Sequence, residues 1–411
     1  MAFKKDIQYY KFCLYGFLKN QRFFEPFFIL YLLDKGFGFL EIGTIYTIRE
    51  ITRNIFEVPA GFGADALGRK KTMMASFGLY IISFLVYWQA NTYVVLIVAT
   101  LFFALADAFR TGTHKAMIFD YLQRMGWSDQ KVHYYGHTRS WSQLGSAVSS
   151  LIAASIIFIS GTYELVFLFS GIPYFLGFFL ILSYPGYLDG KNQQFGISGI
   201  RTRFKKVWKE FALSLRQPEI LKAVANVSSF SGYYQAVKDY LQPIIVSLTI
   251  TLPFLTSYRE EQRSAIFVGV IYFLIYLLTS AASRNAGKFA DRFRHLSTPL
   301  NLTLVLGILV GAVSGLLYHF EFILVSVILF IMVYLLENLR MPVGVSYIGE
   351  NLNEDILATA LSVESQGKTI FSAALAFLLG LFAEKFGVGT GLVIVSGILL
   401  VPVPFILLRY R

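Results

Sequence analysis

Residues 61–71 read GFGADALGRKK and lie between two long apolar stretches of the chain. Glycines stand before and after the aspartate of this segment, and three consecutive basic residues close it. Basic residues placed directly beyond an apolar stretch are typical of a short loop on the cytoplasmic side of a membrane, because translocation of a positive loop is disfavoured. The segment therefore predicts that the apolar stretches on both sides of it cross a bilayer.

The composition of the whole chain supports this prediction. Hydrophobic residues make up 55% of the 411 residues and charged residues only 15%, whereas a soluble domain has about 25% charged residues. Apolar stretches of about 20 residues, long enough to cross the hydrocarbon core, recur along the chain. The first stretch has no small-residue cleavage site, so we expect it to be retained. Cys13 is the single cysteine and allows no internal disulfide.

Twelve membrane spans account for nearly all of the chain. They are predicted at residues 7–33, 39–64, 72–90, 93–123, 132–159, 163–184, 217–250, 262–285, 297–317, 321–349, 355–384 and 388–409. One long polar connection, residues 185–216, separates the sixth span from the seventh. The predicted fold is an all-α integral membrane protein with two six-helix bundles, residues 1–184 and 217–411.

The distribution of basic residues predicts the orientation of these spans. Most of them fall on one predicted side, at Lys4, Lys5, Arg69–Lys71, Arg124, Lys131, Lys191–Lys209, Lys288–Arg294, Arg409 and Arg411. The opposite loops contain Lys35, Arg259, Arg263 and Lys385. Both termini are therefore expected in the cytoplasm. The chain has a net charge of +11, and we expect its basic side chains to contact anionic lipid rather than nucleic acid. Within the linker, residues 201–216 have the spacing of an amphipathic helix on the membrane surface.

The segment at residues 61–71 resembles the loop signature Gly-x-x-x-Asp-x-x-Gly-Arg-Lys/Arg of the major facilitator superfamily, and residues 287–294 form a weaker copy after the eighth span. The resemblance implies two homologous six-helix halves and a cytoplasmic gate latch that docks near the start of the eleventh helix. The gating residues it indicates are Gly61, Asp65, Gly68, Arg69, Lys70, Gly287, Asp291 and Arg292, with Glu354 and Asp355 as acidic partners. An alternative is that the loop only sets the topology.

Two further segments bear on the branch of this family. Residues 109–122 resemble a fourth-helix pattern of a branch that includes drug-exporter-like and solute permeases. Residues 136–150 lack the proline that the fifth helix of proton-coupled drug exporters usually carries. This difference argues against export by the usual antiport design.

Charged side chains in the two halves match each other. A shift of 230 residues aligns Asp107-x-x-Arg110 with Glu337-x-x-Arg340, and a shift of 229 aligns Arg139 with Lys368. These groups lie within predicted spans, where an ionisable group costs about 2.5–3.5 kcal/mol or more unless it is paired or hydrated. They indicate either a polar cavity or ion pairs that only fix the packing of the helices.

The cavity candidates lie on helices that face the central cavity in the family or beside them. They are Arg22, Glu25, Asp107, Arg110, His114, Lys115, Arg139, Tyr233, Tyr234, Lys238, Asp239, Glu337, Arg340, Glu364 and Lys368. Seven of these residues are basic and five are acidic, which favours an anionic or zwitterionic solute. The second span carries a further charged stripe, Arg49, Glu50, Arg53 and Glu57, which we interpret as a gate face.

These features predict a secondary transporter rather than an enzyme. The sequence has no nucleotide-binding loop, metal-ligand cluster or nucleophile elbow, so we expect no cofactor and no ATP-driven transport. We expect a monomer that moves a polar organic solute by alternating access, with protons carried by Glu25, Asp107 or Glu337. The alternatives are an exporter of amphipathic compounds, with a mostly apolar pocket, and a membrane scaffold or receptor that transports nothing.

Overall fold

The computed structural model describes residues 5–111, 113–127, 131–189, 218–351 and 354–409, and in these ranges every regular element is a helix. In the first half of the chain they are α1 Ile7–Lys19, α2 Phe28–Asp34, α3 Phe39–Leu67, α4 Arg69–Trp88, α5 Tyr93–Arg110, α6 Thr113–Arg124, α7 Lys131–Ser160 and α8 Leu165–Leu182. In the second half they are α9 Pro218–Val237, α10 Leu241–Thr251, α11 Glu260–Arg284, α12 Ala286–Ala290, α13 Ser297–His319, α14 Ile323–Asn351, α15 Glu354–Phe386, α16 Val388–Leu400 and α17 Val403–Ile406.

Eight helical segments are long and apolar enough to cross a membrane. They are Arg69–Trp88, Tyr93–Arg124, His137–Ser160, Leu165–Leu182, Glu260–Arg284, Ser297–His319, Ile323–Ile348 and Val363–Phe386. The prediction of a membrane protein built from helices is therefore confirmed. The count of twelve spans and the cytoplasmic position of the termini remain predictions, and the amphipathic helix predicted at residues 201–216 lies outside the described residues.

The predicted first span is not one continuous helix. It ends as an α-helix at Lys19, passes through a bend, and resumes as the 3₁₀ turn Glu25–Phe27 followed by α2. Pro26 in this turn has no backbone N–H to continue an α-helical ladder. Two side chains of the bend bind the backbone of α7. Asn20 Nδ2 donates to the carbonyl of Ser142 at 2.6 Å, and Gln21 Nε2 donates to that of Gly145 at 3.0 Å.

The predicted seventh and fourth spans are also interrupted. The 3₁₀ turn Lys238–Tyr240 separates α9 from α10. Between α5 and α6, Thr111 has an extended conformation, with φ −61° and ψ 129°. These interruptions lie beside charged side chains, at Lys238–Tyr240 and directly after Arg110.

The described residues form two compact units. The first comprises those within residues 1–27, 52–204 and 258–277, and the second those within residues 28–51, 205–257 and 278–411. Within the first unit, α4 packs on α5 and α8, and α1 packs on α7. Within the second, α13 packs on α14 and α16, and α9 packs on α15. The same three pairings recur in the same chain order, as expected for an internal repeat.

Candidate substrate-binding site

The first unit contains a cluster of charged and tyrosine side chains around Asp107 of α5. Asp107 is buried, and its Oδ1 atom accepts hydrogen bonds from Arg22 Nη2 at 3.1 Å and Arg110 Nη2 at 3.0 Å. The hydroxyl of Tyr80 on α4 donates to the same oxygen. Asp107 and Arg110 meet because residues three apart share one face of a helix. The third partner, Arg22, comes from the bend that follows α1.

Tyrosine hydroxyls orient the two guanidinium groups. Arg22 Nε donates to the Tyr174 hydroxyl at 2.8 Å, and its Nη2 donates to the Tyr80 hydroxyl at 3.1 Å. Arg110 Nε donates to the same Tyr80 hydroxyl at 3.0 Å. The side chains of Arg22, Asp107 and Arg110 keep 16%, 11% and 21% of their surface exposed, so the cluster is not sealed from a solute.

A second layer of side chains lies beside this cluster. The ring of Tyr15 on α1 stacks on His114 of α6, with centroids 3.6 Å apart and planes 15° apart. His114 Nε2 lies 3.2 Å from the hydroxyl of Tyr184. The ammonium of Lys19, at the end of α1, lies 6.0 Å from the centroid of the Tyr15 ring and interacts electrostatically with Arg22 and Arg110.

The charges of this region do not cancel. Lys19, Arg22 and Arg110 are three basic side chains, and Asp107 is the one carboxylate bonded to the two arginines among the described residues. Glu25, which is half-buried, interacts electrostatically with Arg22 from the next turn of the chain. The two guanidinium groups balance the two carboxylates, and Lys19 adds a third basic group whose protonated form an anionic group would favour, so the region can accommodate an anion.

In the second unit, Glu337 of α14 is a buried carboxyl group among the predicted site residues. It is 5% exposed, and its Oε1 accepts a hydrogen bond from the Ser231 hydroxyl at 2.7 Å. Its Oε2 has no hydrogen-bond partner among the described residues. Lys368, Arg340 and Glu364 interact with it electrostatically. Glu337, Glu364 and Lys368 therefore form one charged group.

Arg340, which the sequence matches to Arg110, has a different environment. It is 1% exposed, and its Nη1 donates to the carbonyl of Leu300 and, at 3.1 Å, to Thr303 Oγ1. Its Nη2 donates to the carbonyl of Asn226 at 2.6 Å and to the side-chain oxygen of the same residue. These bonds join α14 to α13 and α9. We therefore leave Arg340 out of the candidate site and assign it to helix packing.

Other predicted residues of the second unit lie at the α9–α10 interruption. Lys238 Nζ contacts Asp239 Oδ1 at 2.7 Å, and the Tyr46 hydroxyl donates to Asp239 Oδ2 at 2.8 Å. Tyr234 lies edge-on to Tyr334, whose hydroxyl donates to the carbonyl of Lys238 at 2.6 Å. By contrast, Tyr233 is fully buried and its hydroxyl is 2.7 Å from that of Ser396. Tyr233 therefore packs within the bundle.

Two predicted cations of the first unit lie at its periphery. Lys115 is exposed, with its ammonium 5.5 Å from the centroid of the Phe119 ring. Arg139 of α7 is half-buried and interacts electrostatically with Lys115 and Lys19. Arg139 therefore adjoins Lys19, whereas Lys115 is not among the strongest electrostatic neighbours of Lys19.

The basic residues of the predicted gate loop, residues 61–71, contact other residues of the first unit. Arg69 Nη1 contacts Asp120 Oδ2 at 3.7 Å, and Lys70 Nζ donates to the carbonyl of Tyr184 at 2.9 Å. Asp189 Oδ1 accepts from the backbone N–H of Lys70 at 2.7 Å and thereby satisfies one amide at the start of α4. Gly68 has φ +102°, a conformation that glycine adopts without strain.

The roles predicted for the remaining gate residues stay predictions. The side chains of Asp65, Glu354 and Asp355 lie outside the described residues. Gly61 and Gly287 are exposed, as are Asp291 and Arg292. Among the described residues, no group of three or more His, Cys, Asp or Glu could hold a metal ion.

The sequence analysis missed several residues of the Asp107 cluster, namely Tyr15, Lys19, Tyr80 and Tyr174. In a chain with 25 tyrosines, no local signal separates three that bind arginine from those that face lipid. Lys19 had a usable signal, because it stands three residues before Arg22 in the same apolar stretch.

Comparison with known proteins identifies the family. The model of the Major Facilitator Superfamily matches residues 17–363. A relative from Bacillus subtilis (strain 168), described as the uncharacterized MFS-type transporter YxaM, is 21% identical over 380 residues, which cover 92% of this chain and 90% of that protein.

Solved structures show the same fold. A mutant of the nucleoside transporter NupG superposes with a TM-score of 0.74 at 15% identity, covering 98% of this chain and 100% of that one. A POT family transporter in complex with 5-aminolevulinic acid superposes with a TM-score of 0.69 at 13% identity, covering 97% and 95%. The family match extends over most of the chain, and its members and relatives are transporters rather than enzymes. The chain is therefore a multi-pass membrane transporter that belongs to the Major Facilitator Superfamily.

Proposed function

We propose that this transporter carries a polar organic anion or zwitterion across the cell membrane by alternating access, coupled to protons. The observation that carries the proposal is that three basic side chains, Lys19, Arg22 and Arg110, adjoin one bonded carboxylate, Asp107. Guanidinium groups suit carboxylate and phosphate because they present paired donors in a fixed plane. A pocket for amphipathic drugs would instead be mostly apolar.

The proposal also covers the membrane topology, the oligomeric state and the lipid contacts of the protein. Twelve spans with both termini in the cytoplasm, one linker at residues 185–216 and a monomeric state agree with the apolar stretches and the distribution of basic residues. Exposed basic side chains near the end of α11, including Arg284, Lys288 and Arg292, suit contact with anionic lipid headgroups.

The substrate class can be tested with purified protein in detergent, screened by thermal unfolding against organic acids, amino acids, phosphate esters and cationic drugs. We expect stabilisation by one class of anion or zwitterion, since a ligand at 100 times its dissociation constant adds about 2.7 kcal/mol. Arg110→Gln should abolish the stabilisation, because it removes a charged donor of the cluster. Arg409→Gln, at an exposed arginine outside the predicted site and gate, is the control and should leave it unchanged.

Two results would contradict the proposed substrate class. Stabilisation by cationic amphipathic drugs that persists in Arg110→Gln would favour the exporter. An anion response that is equal in both variants would show that the Asp107 cluster does not bind the solute.

Proton coupling is the second part of the proposal, and Glu337 is its carrier. One carboxyl oxygen of Glu337 holds the Ser231 hydroxyl and the other has no hydrogen-bond partner among the described residues. An ionised carboxylate in such a place is costly, so binding and release of a proton would change the local energy strongly. Asp107, in contrast, is held by two arginines.

Glu337→Gln tests the coupling in proteoliposomes, using the solute found in the stability screen. The amide preserves the bond from Ser231 but cannot release a proton. We expect accumulation driven by an inward proton gradient to be lost, while exchange of internal for external solute continues. Glu321→Gln, at an exposed glutamate, is the control. Gradient-driven accumulation by the Glu337 variant at the wild-type rate would remove Glu337 from the coupling step.

A further inference from the structure

Lys19 is a poorly compensated basic group among the described residues of the first unit. Its side chain is half-buried at the end of α1, and no hydrogen bond or ion pair joins its amino group to the described residues. Its electrostatic neighbours are mainly cations, Arg22, Arg110 and Arg139, with Asp107 as the single acid. An ammonium withdrawn from water and surrounded by cations is unfavourable, so such a lysine either gives up its proton or has its charge compensated by another group.

Stabilisation of the helix end does not account for Lys19. A lysine in the last turn can interact with free carbonyl groups of the helix terminus. In α1 these groups already have donors: the amide of Asn20 bonds the carbonyl of Phe17, the amide of Gln21 bonds that of Leu18, and the Tyr174 hydroxyl bonds that of Lys19 itself at 2.7 Å. The ammonium of Lys19 is not needed there.

Two further donors near Lys19 are not fully used. The Tyr15 hydroxyl is buried, its oxygen interacts with Arg110, and no described residue accepts its O–H. Arg110 donates to Tyr80 and Asp107 through Nε and Nη2, and its guanidinium has further N–H groups on the side of Tyr15. Tyr15 and Lys19 each interact electrostatically with Arg110. The stacked ring of His114 holds the Tyr15 ring in place.

We propose that Lys19, Tyr15 and Arg110 form an anion subsite that receives the carboxylate or phosphate group of the transported solute. The ammonium, the phenolic O–H and the remaining guanidinium N–H groups supply the donors, and the solute supplies a negative charge. Arg22 and Asp107 remain paired beside it and line the rest of the site. The inference rests on the proposed function, since it specifies where that site binds the charged end of the solute.

Thermal unfolding of the full-length protein in detergent tests the subsite with two probes, sodium phosphate and sodium succinate, against sodium chloride at equal ionic strength. We expect at least one probe to raise the melting temperature above the chloride value, and the larger rise identifies phosphate or carboxylate as the preferred group. Lys19→Met and Tyr15→Phe should each weaken the apparent affinity about tenfold or more, which is the usual effect of losing a bond to a charged group.

Matched variants separate binding from folding. Lys19→Arg keeps the charge and should keep the response to the probe, whereas Lys19→Met should lose it. Lys385→Met, at an exposed lysine, should behave like the wild type. A second measurement follows acylation of Lys19 by a small amine-reactive reagent, read by mass spectrometry. The preferred probe should protect Lys19 and leave Lys385 reactive.

The outcomes distinguish this subsite from the proposed function. If Arg110→Gln abolishes the probe response but Lys19→Met and Tyr15→Phe retain it, the anion binds the cluster elsewhere and the subsite is wrong. If the wild type responds to neither probe and Lys19 is not protected, both the subsite and the proposed anionic substrate are wrong.

Discussion

At the scale of single residues, matched positions in the two halves have acquired different partners. Arg110 contacts a carboxylate and a tyrosine in a partly open cluster, whereas Arg340 is enclosed and bonds backbone carbonyls. Asn226, which Arg340 holds, also donates to the carbonyl of Ile406 at 3.1 Å. Arg340 therefore orients Asn226, which binds the end of α17. An arginine of the same spacing can thus serve either ligand binding or packing.

This difference predicts that Arg340→Leu lowers stability without changing ligand preference. The substitution leaves the carbonyls of Leu300 and Asn226 without their donors, and we expect a loss of roughly 2–5 kcal/mol in the free energy of unfolding. Thermal unfolding in detergent measures the loss, and the stability screen compares ligands. Arg292→Leu, at an exposed site, should stay within about 0.5 kcal/mol of the wild type. An altered ligand preference in Arg340→Leu would place this residue in the binding site after all.

At the scale of helices, close approach depends on glycine at the contact points. A β-carbon added at Gly145 of α7 would lie 2.6 Å from the carbonyl oxygen of Phe17 and 3.1 Å from its Cα atom. At Gly232 of α9 it would lie 2.9 Å from the carbonyl oxygen of Lys368 on α15. The α1–α7 and α9–α15 pairs are thus equivalent contacts of the two units, as small residues permit in membrane helices.

Gly145→Ala should therefore destabilise the protein by about 1–3 kcal/mol, because the helices cannot both keep their positions. It should also weaken ligand binding, since α1 leads directly to Lys19 and Arg22. Gly78→Ala is the matched control: this helical glycine has nothing within 4 Å of an added β-carbon, and alanine there should stabilise the helix by up to about 1 kcal/mol. Equal melting temperatures for the two variants would refute the close-approach argument.

At the scale of the whole molecule, the topology can be tested by labelling single cysteines. Cys13 is 1% exposed, so it should react slowly and contribute little background. Lys288→Cys and Lys385→Cys replace exposed lysines that are predicted on opposite sides of the membrane. In intact cells, a membrane-impermeant maleimide should label position 385, and position 288 only after permeabilisation. Labelling of position 288 in intact cells would reverse the predicted orientation.

The packing of the units also shows how far the internal repeat extends. The three helix pairings recur in both units, although the surroundings of the matched arginines Arg110 and Arg340 differ. Helix pairing depends on small residues and apolar volume, which tolerate many substitutions. Site chemistry depends on single side chains, so it can change in one half while the packing is retained.

The amino-acid sequence by itself determined that the chain is a helical membrane protein of this family, because apolar length and the loop signature are local properties. It also indicated the Asp107–Arg110 pair, since residues three apart on a helix always share a face.

Only the tertiary structure decided which charges meet. The bend after Lys19 directs Arg22 toward Asp107, and the rotation of α4 and α8 places Tyr80 and Tyr174 beside the two arginines. The same level of structure encloses Arg340 and leaves Lys19 without an anionic partner among the described residues. The physical reason is that helix breaks and helix rotation depend on contacts between distant segments, which a local periodic pattern does not encode.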